Sequence, residues 1–285
     1  MQLHVHRLGE AGRPVLVLVH GSLLDGIRTW AAQRPLAARF ELLIPDRRGY
    51  GRTPLPPGVP PGEDFAVDAA DLVELLEDLP AGGHLAGHSY GGLVALLAAI
   101  TRPQLVRSLT LVEPPAFAVA RGAPAVEALI EHLTALMAQA PSLRPEAFLA
   151  GFLAAVGVPP AAEGPLSPPL QRGLAMLAGS RPPWDAPLPL GALAAAGVPC
   201  LAVTGAHEPA FEVVADRIAA ALRGERLVVA GWGHAIPYAG PALDEPLARF
   251  VEAAEGRWRD AARTAGGAGE ADRPPPDPAA VMGPR

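Results

Sequence analysis

Short apolar runs alternate with longer segments of helical periodicity in the first part of the chain. The run from Pro14 to Val19 is continuous and branched, which is typical of a strand buried on both faces. Two similar runs, Phe40–Ile44 and His84–Ala86, also end in glycine-containing turns. Apolar residues recur at helical spacing in Asp64–Leu79 and Leu93–Thr101. This alternation predicts an α/β protein with a mostly parallel sheet flanked by helices.

The alternation stops after a fourth predicted strand, Leu109–Val112, and resumes at Val198–Thr204. The segment between them is rich in alanine, leucine and proline, with helical periodicity near Val126–Met137 and Ala147–Val156. We interpret it as an inserted helical cap.

The predicted core is therefore split in two. Its second part continues with a helix at about Phe211–Leu222, a strand at Arg226–Val229 and a final helix at about Pro241–Ala254. The end of the chain holds proline, glycine and alanine with almost no large apolar residues, which is typical of a disordered tail. We predict four segments: the first part of the core at 1–114, the cap at 115–197, the second part of the core at 198–260 and the tail at 261–285.

The amino-acid composition excludes several classes of function. Half of the residues are hydrophobic and 18% are charged, with a net charge of −6. The chain therefore lacks the excess of basic residues that proteins use to bind nucleic acids or anionic membranes. The sequence contains no lysine, which excludes P-loop, protein-kinase and Schiff-base chemistry. We therefore expect a small-molecule partner, and the sequence leaves the oligomeric state open.

Cys200 is the single cysteine, which excludes an internal disulfide and a multi-cysteine metal site. The N-terminus lacks the basic start and apolar core of a secretory signal, and no apolar stretch reaches the length of a membrane span. These features predict a cytoplasmic protein without membrane association.

The pattern Gly87-His-Ser89-Tyr-Gly91 follows a buried strand and precedes a small-residue helix. A tight turn in that setting exposes a serine hydroxyl above the sheet, which makes Ser89 the candidate nucleophile. Serine needs a base, and His234 on the glycine-rich loop after the last strand is the best placed histidine. We choose Glu208 as the acid that orients it, since it follows a strand in the order serine, acid, histidine, with Glu113 as the alternative.

Other residues complete the predicted site. We expect the backbone N–H groups of Ser22 and Tyr90 to form the oxyanion hole. We expect His207, beside Glu208, to lie at the surface. Large apolar side chains of the cap and of the loops near the site are the candidates for binding the substrate: Leu23, Met137, Phe148, Phe152, Trp184 and Ile236.

Together these segments resemble the α/β-hydrolase fold family, specifically its capped members. The matching motifs are His20-Gly21, the turn Asp46–Arg52, the elbow Gly87–Gly92, Gly205-x-x-Glu208 and Gly233-His234. Family members usually carry aspartate where this chain has Glu208. The elbow carries serine where epoxide hydrolases and haloalkane dehalogenases of the family carry aspartate, which argues against those two activities.

The resemblance implies a fold, a mechanism and a class of substrate. Ser89, His234 and Glu208 would form a triad that hydrolyses an ester, thioester or lactone of a hydrophobic small molecule. No metal or organic cofactor is implied, because histidine and the oxyanion donors supply the chemistry. The alternatives are a cofactor-free perhydrolase, a carbon–carbon bond hydrolase, and a ligand-binding receptor of the same fold with little turnover.

Overall fold

The computed structural model describes residues 2–158 and 164–268. Seven strands in these residues form one sheet in the order β1-β3-β2-β4-β5-β6-β7. Neighbouring strands are parallel, except that β1 runs antiparallel to β3. The strands are β1 Val5–Leu8, β2 Val15–Val19, β3 Glu41–Pro45, β4 Gly83–His88, β5 Val106–Val112, β6 Cys200–Thr204 and β7 Glu225–Val228. The predicted fold class is confirmed.

The central strands are apolar throughout because both faces of the sheet are covered. Successive side chains of a strand point to opposite faces, so the residues of β2 divide between two apolar clusters. Leu16 and Leu18 belong to one cluster, and Val17 and Val19 belong to the other. All four are buried. Burial on both faces explains why these strands lack an alternation of apolar and polar residues.

Helices cover the sheet, and none of those in the described residues is long and apolar enough to cross a membrane. They are α1 Gly26–Thr29, α2 Phe65–Glu77, α3 Tyr90–Thr101, α4 Pro124–Gln139, α5 Pro145–Ala155, α6 Pro168–Ala178, α7 Leu190–Ala196, α8 Pro209–Leu222 and α9 Pro241–Ala268. Several begin with proline, which fits the first turn because the N–H it lacks has no helical partner there. Helix α2 instead begins after Asp64, whose side chain accepts hydrogen bonds from two N–H groups of the first turn.

The insert, residues 115–197, contributes α4 to α7 and no strand among its described residues. Its helices share a small apolar cluster of their own that includes Leu136, Phe148 and Leu174. Helix α4 also packs against α8 of the core, which anchors the insert beside the carboxyl ends of the strands. The helical periodicity that we recognised in this segment therefore corresponds to real helices.

The last helix is longer than the sequence pattern indicated. We predicted that it would end near Ala254 and that a disordered tail would begin at residue 261, but α9 continues to Ala268. The extension contains several alanines and the ion pairs Arg259–Glu255 and Arg263–Asp260, whose spacing stabilises a helix. The rest of the predicted tail, residues 269–285, lies outside the described residues.

Candidate active site

Ser89 lies at the sharp turn between β4 and α3. Its backbone adopts φ 51° and ψ −127°, a conformation that residues other than glycine rarely adopt. Gly91 allows the turn, since a Cβ there would collide with the carbonyl oxygens of Val19 and His20. Tyr90 is the first residue of α3, so its N–H has no partner within the helix. The turn therefore brings a hydroxyl group and an uncommitted helix N–H close together.

His234, on the loop after β7, contacts the serine directly. The Ser89 hydroxyl donates a hydrogen bond of 2.8 Å to Nε2 of His234. The ring of Phe211 stacks on the histidine with 4.9 Å between ring centroids, and Nε2 of His88 donates to the His234 carbonyl oxygen at 2.8 Å. Burial lowers the pKa of His88 to about 3, so that ring is neutral. These contacts hold the backbone and the ring of His234 in one orientation.

Glu113, the first residue after β5, contacts the other side of the histidine. Its Oε2 accepts a 2.6 Å hydrogen bond from Nδ1 of His234, and its Oε1 accepts one of 2.7 Å from the N–H of Gly205. The side chain is fully buried, and the backbone has a φ of 46°, in the left-handed region. Ser89, His234 and Glu113 thus form one hydrogen-bonded chain.

Glu208, our predicted partner of His234, lies elsewhere. It precedes α8 and its carboxylate accepts a hydrogen bond of 3.2 Å from the N–H of Ala210 in the first turn of that helix. An acidic residue at a helix N-terminus also interacts favourably with the helix dipole. The prediction that Glu208 pairs with His234 is therefore wrong, and the alternative, Glu113, makes this contact.

The contacts of Glu113 determine its charge. Burial by itself would raise the pKa of this carboxyl group. The contacts with His207 and His234 and the N–H of Gly205 outweigh burial and lower the pKa to about 2. The carboxylate is therefore ionised at neutral pH. An ionised acceptor at Nδ1 of His234 keeps the proton on that nitrogen and leaves Nε2 free to accept one from Ser89.

His207 is not the surface residue that the sequence suggested. Its side chain is 15% exposed, and its Nδ1 lies 3.3 Å from Oε1 of Glu113. The other ring nitrogen, Nε2, donates to the carbonyl oxygen of Val156 in the insert at 2.9 Å. Its position after the turn at Gly205, at the same sheet edge as the site, is the sequence signal that could have identified it.

The loop after β2 passes beside the nucleophile, as predicted for the oxyanion hole. A Cβ placed on Gly21 would lie 3.0 Å from the Cβ of Ser89. Ser22 and Tyr90 both line the cavity into which Ser89 opens. The structure brings these two residues to the nucleophile, and the role of their N–H groups stays a prediction.

A buried carboxylate that we did not single out supports this loop. Oε2 of Glu63 accepts hydrogen bonds from the hydroxyl groups of Ser22 at 2.7 Å and Ser180 at 3.0 Å. Its Oε1 accepts from Arg47 at 2.6 Å and from Tyr50 at 2.9 Å. Arg47 also donates to two carbonyl oxygens at the start of the loop, at 3.1 and 2.9 Å. No short motif marks Glu63, because its partners are distant in sequence.

Ser89 opens into two cavities between the sheet and the insert, each named here after one lining residue. The Trp184 cavity, of about 750 Å³, is lined by Ser22, Glu63, Ser89, Tyr90, Pro115, Phe117, Leu133, Thr134, Met137, Phe152, Val156, Leu177, Ser180, Pro182, Pro183, Trp184 and Phe211. The His234 cavity, of about 840 Å³, is lined by Ser22, Leu23, Leu24, Thr29, His88, Ser89, Leu149, Phe152, Leu153, Val156, Val158, Leu170, His234, Ala235 and Tyr238. Both volumes include space that is open to solvent.

Four of the six predicted substrate-binding residues line these cavities. They are Leu23, Met137, Phe152 and Trp184. Phe148 and Ile236 line neither cavity, so the prediction that they bind the substrate is wrong. Phe148 faces the apolar cluster inside the insert. Ile236 is fully buried in the cluster on one face of the sheet, although it is only two residues from His234.

Side chains that could bind a metal also meet at this site. Glu113, His207 and His234 bring donor atoms within 4.8 Å of one another. Nδ1 of His234 and Oε2 of Glu113 are already joined by a hydrogen bond, and Nδ1 of His207 faces the other carboxylate oxygen. Ion pairing and hydrogen bonding account for the arrangement without a metal ion.

A family model described as "Alpha/beta hydrolase family" matches residues 16–253. The chain belongs to the alpha/beta hydrolase family. The match extends over the sheet from β2 onward, the insert and the hydrogen-bonded chain of Ser89, His234 and Glu113. The resemblance inferred from the motifs is therefore confirmed.

Curated relatives of this chain match over part of its length. A pimeloyl-[acyl-carrier protein] methyl ester esterase of Aeromonas salmonicida is 35% identical over 41% of this chain and 44% of its own length. A putative carbamate hydrolase of Stutzerimonas stutzeri is 36% identical over 38% of this chain and 41% of its own. An epoxide hydrolase A of Mycobacterium tuberculosis is 32% identical over 44% of this chain and 39% of its own length. The chain thus spans less than half the length of these relatives.

Solved structures match over about nine tenths of the chain. MenH from S. aureus superposes with a TM-score of 0.68 and 18% identity, over 90% of this chain and 99% of that chain. A structure from a study of carboxylesterases of Nitrososphaera gargenis has the same TM-score and identity, over 90% of this chain and 96% of that chain. At this level of identity the likeness shows the fold.

Proposed function

We propose that this protein is a serine hydrolase that cleaves an ester, thioester or lactone of a hydrophobic small molecule through an acyl-enzyme on Ser89. The observation that carries the proposal is the pair of hydrogen bonds that joins Ser89 to His234 at 2.8 Å and His234 to Glu113 at 2.6 Å. Nucleophile, base and orienting acid stand in hydrogen-bond order, as acyl transfer requires. The relative named as a methyl ester esterase supports the choice of ester chemistry.

The reaction proceeds by proton transfers through His234. Nε2 of His234 removes the hydroxyl proton while Oγ of Ser89 attacks the carbonyl carbon. The N–H groups of Ser22 and Tyr90 stabilise the negative charge that develops on the carbonyl oxygen. His234 then gives its proton to the departing alcohol or thiol. Water, activated by the same nitrogen, attacks the acyl-enzyme and releases the carboxylic acid.

The need to protonate the leaving group distinguishes the two cavities. The proton donor is His234, so the leaving group has to lie where this ring is exposed, in the His234 cavity. The acyl group then extends from Ser89 into the Trp184 cavity, past Met137. Phe152 lines both cavities, which puts it close to the bond that breaks.

The lining of the Trp184 cavity favours an uncharged acyl group. Glu63 is the charged side chain among its described lining residues, and its oxygens are already bound by hydroxyl groups and Arg47. A charged substrate group would therefore lose its hydration without gaining a partner. Because the insert supplies Met137, Phe152 and Trp184, we propose that it acts as the cap that selects the substrate.

A serine-directed fluorophosphonate probe tests the proposal. We expect wild type to be labelled once and Ser89→Ala to be unlabelled, while Ser142→Ala, which changes an exposed serine of the insert, is labelled like wild type. Hydrolysis of a series of p-nitrophenyl esters should disappear with Ser89→Ala only. Labelling of Ser89→Ala would refute the assignment of the nucleophile, and a single turnover without release of the acid would favour the receptor alternative.

A further inference from the structure

The Glu113 carboxylate faces two histidines. Its Oε2 lies 2.6 Å from Nδ1 of His234, and its Oε1 lies 3.3 Å from Nδ1 of His207. The mechanism proposed above uses only the first contact. His207 also reaches the insert, because its Nε2 donates to the carbonyl oxygen of Val156 at 2.9 Å. This second histidine therefore connects the acid to the segment that covers the site.

The surroundings of His207 favour a positive charge on its ring. Nε2 faces the carbonyl oxygen of Val156 and Nδ1 faces a carboxylate oxygen of Glu113. A neutral imidazole carries one N–H, so it would present a lone pair to one of these oxygens. The imidazolium form donates to Val156 through Nε2 and places its positive charge beside the carboxylate, where Nδ1 lies 3.3 Å from Oε1 as an ion pair without hydrogen-bond geometry.

The charges around the ring favour the same form. Burial lowers the pKa of His207, but its contact with Glu113, the charges of Glu113 and Glu208 and the carbonyl oxygen of Val156 raise it above the usual value. His234 is another titratable group nearby, with 6.3 Å between the ring centroids. A further ring neighbour, Phe211, is apolar, with its centroid 6.1 Å away.

The packing keeps the ring in place. A side chain on Gly157, the residue after Val156, would collide with the ring of His207. The carbonyl oxygen of Gly157 would in turn meet a side chain on Gly233, the neighbour of His234. The end of helix α5 and its following turn therefore lie close against both histidine loops.

We propose that His207 is a positioning residue for Glu113: an imidazolium that fixes the second carboxylate oxygen and ties it to the insert through Val156. The proposal rests on the proposed function, in which Glu113 orients His234. It has a consequence for the pH range of catalysis. The positive charge on His207 repels a positive charge on His234, with 6.3 Å between the ring centroids, so removing it should move the acidic limb of catalysis to higher pH.

The test compares His207→Gln with wild type and with His132→Gln, which changes an exposed histidine of helix α4. The glutamine amide can still donate a hydrogen bond but carries no charge. We expect kcat/KM of His207→Gln to fall several-fold at its plateau, and the acidic limb of its pH profile to move upward by about half a unit to one unit. His132→Gln should change neither quantity. A lower plateau with an unmoved acidic limb would overturn the proposal, because loss of packing alone predicts that result.

A measurement on unaltered protein covers the case in which the variant does not fold. In ¹⁵N-labelled wild type, the ring of His207 should titrate above the ordinary histidine value of about 6.5, and both of its ring nitrogens should carry protons below that midpoint. Titration at or below that ordinary value would refute the proposal. This readout needs no substrate, so it can fail while ester hydrolysis by Ser89 stands, and it can succeed if ester hydrolysis is absent.

Discussion

Oε2 of Glu113 lies 2.6 Å from Nδ1 of His234, although 121 positions of the chain separate the two residues. Glu113 follows β5 and His234 follows β7, so the side chain reaches across the end of β6 between them. Gly205 at that strand end leaves the space, and its N–H donates to the same carboxylate. The extra methylene of glutamate, compared with aspartate, suits a contact made across an intervening strand.

The first prediction separates the two glutamates. Glu113→Gln keeps the shape of the side chain but removes the charge that fixes the tautomer of His234 and stabilises its imidazolium form. We expect kcat to fall by about 10³-fold or more, by analogy with the loss of the acid in other triads. Glu208→Gln should leave kcat within about twofold, since its carboxylate caps a helix. Equal losses in both variants, measured with one p-nitrophenyl ester, would contradict the assignment.

The second prediction concerns stability at low pH. The pKa of Glu113 is about 2 in the folded protein, below its ordinary value of 4.5, so the ionised form stabilises the fold at neutral pH. That contribution is complete above the unfolded-state value and is lost as the pH falls from about 4.5 towards 2. Urea unfolding should therefore show wild type more stable than Glu113→Gln at pH 6, with a difference that narrows towards pH 3. A difference that widened would show the opposite sign of the pKa shift.

The third prediction concerns the backbone of Ser89. Its φ of 51° with ψ of −127° is a conformation that glycine adopts readily and other residues do not. Ser89→Gly should be more stable than Ser89→Ala by about 1 kcal/mol, although both variants lose the nucleophile. Thermal and urea unfolding of the two inactive variants measures this difference. Equal stability would mean that the turn carries no strain.

The fourth prediction compares two large apolar residues of the insert. Met137 lines the Trp184 cavity, so Met137→Trp should reduce kcat/KM for long acyl chains by about tenfold and spare acetyl esters. Phe148 packs inside the insert, so Phe148→Leu should lower stability by about 1 kcal/mol and leave the chain-length profile unchanged. A changed profile for Phe148→Leu would show that this ring does reach the substrate.

The sequence by itself determined the sheet, the elbow and the histidine, because these depend on local patterns. Apolar runs such as Val15–Val19 form buried strands in any α/β arrangement, and glycines around Ser89 permit the turn that exposes its hydroxyl group. His234 follows the last strand, and loops after parallel strands meet at one edge of a sheet. Chain order and residue type were sufficient for these inferences.

Only the tertiary structure decided between Glu113 and Glu208. Both follow a strand of the same sheet, and both satisfy the order serine, acid, histidine. The backbone of Glu113 at φ 46° and the N–H of Gly205 hold its carboxylate at His234, whereas a helix begins immediately after Glu208 and binds its carboxylate. The lining of the cavities was decided in the same way. Whether Phe148 or Ile236 faces the substrate depends on how helices and loops pack in three dimensions, which hydrophobicity along the chain does not encode.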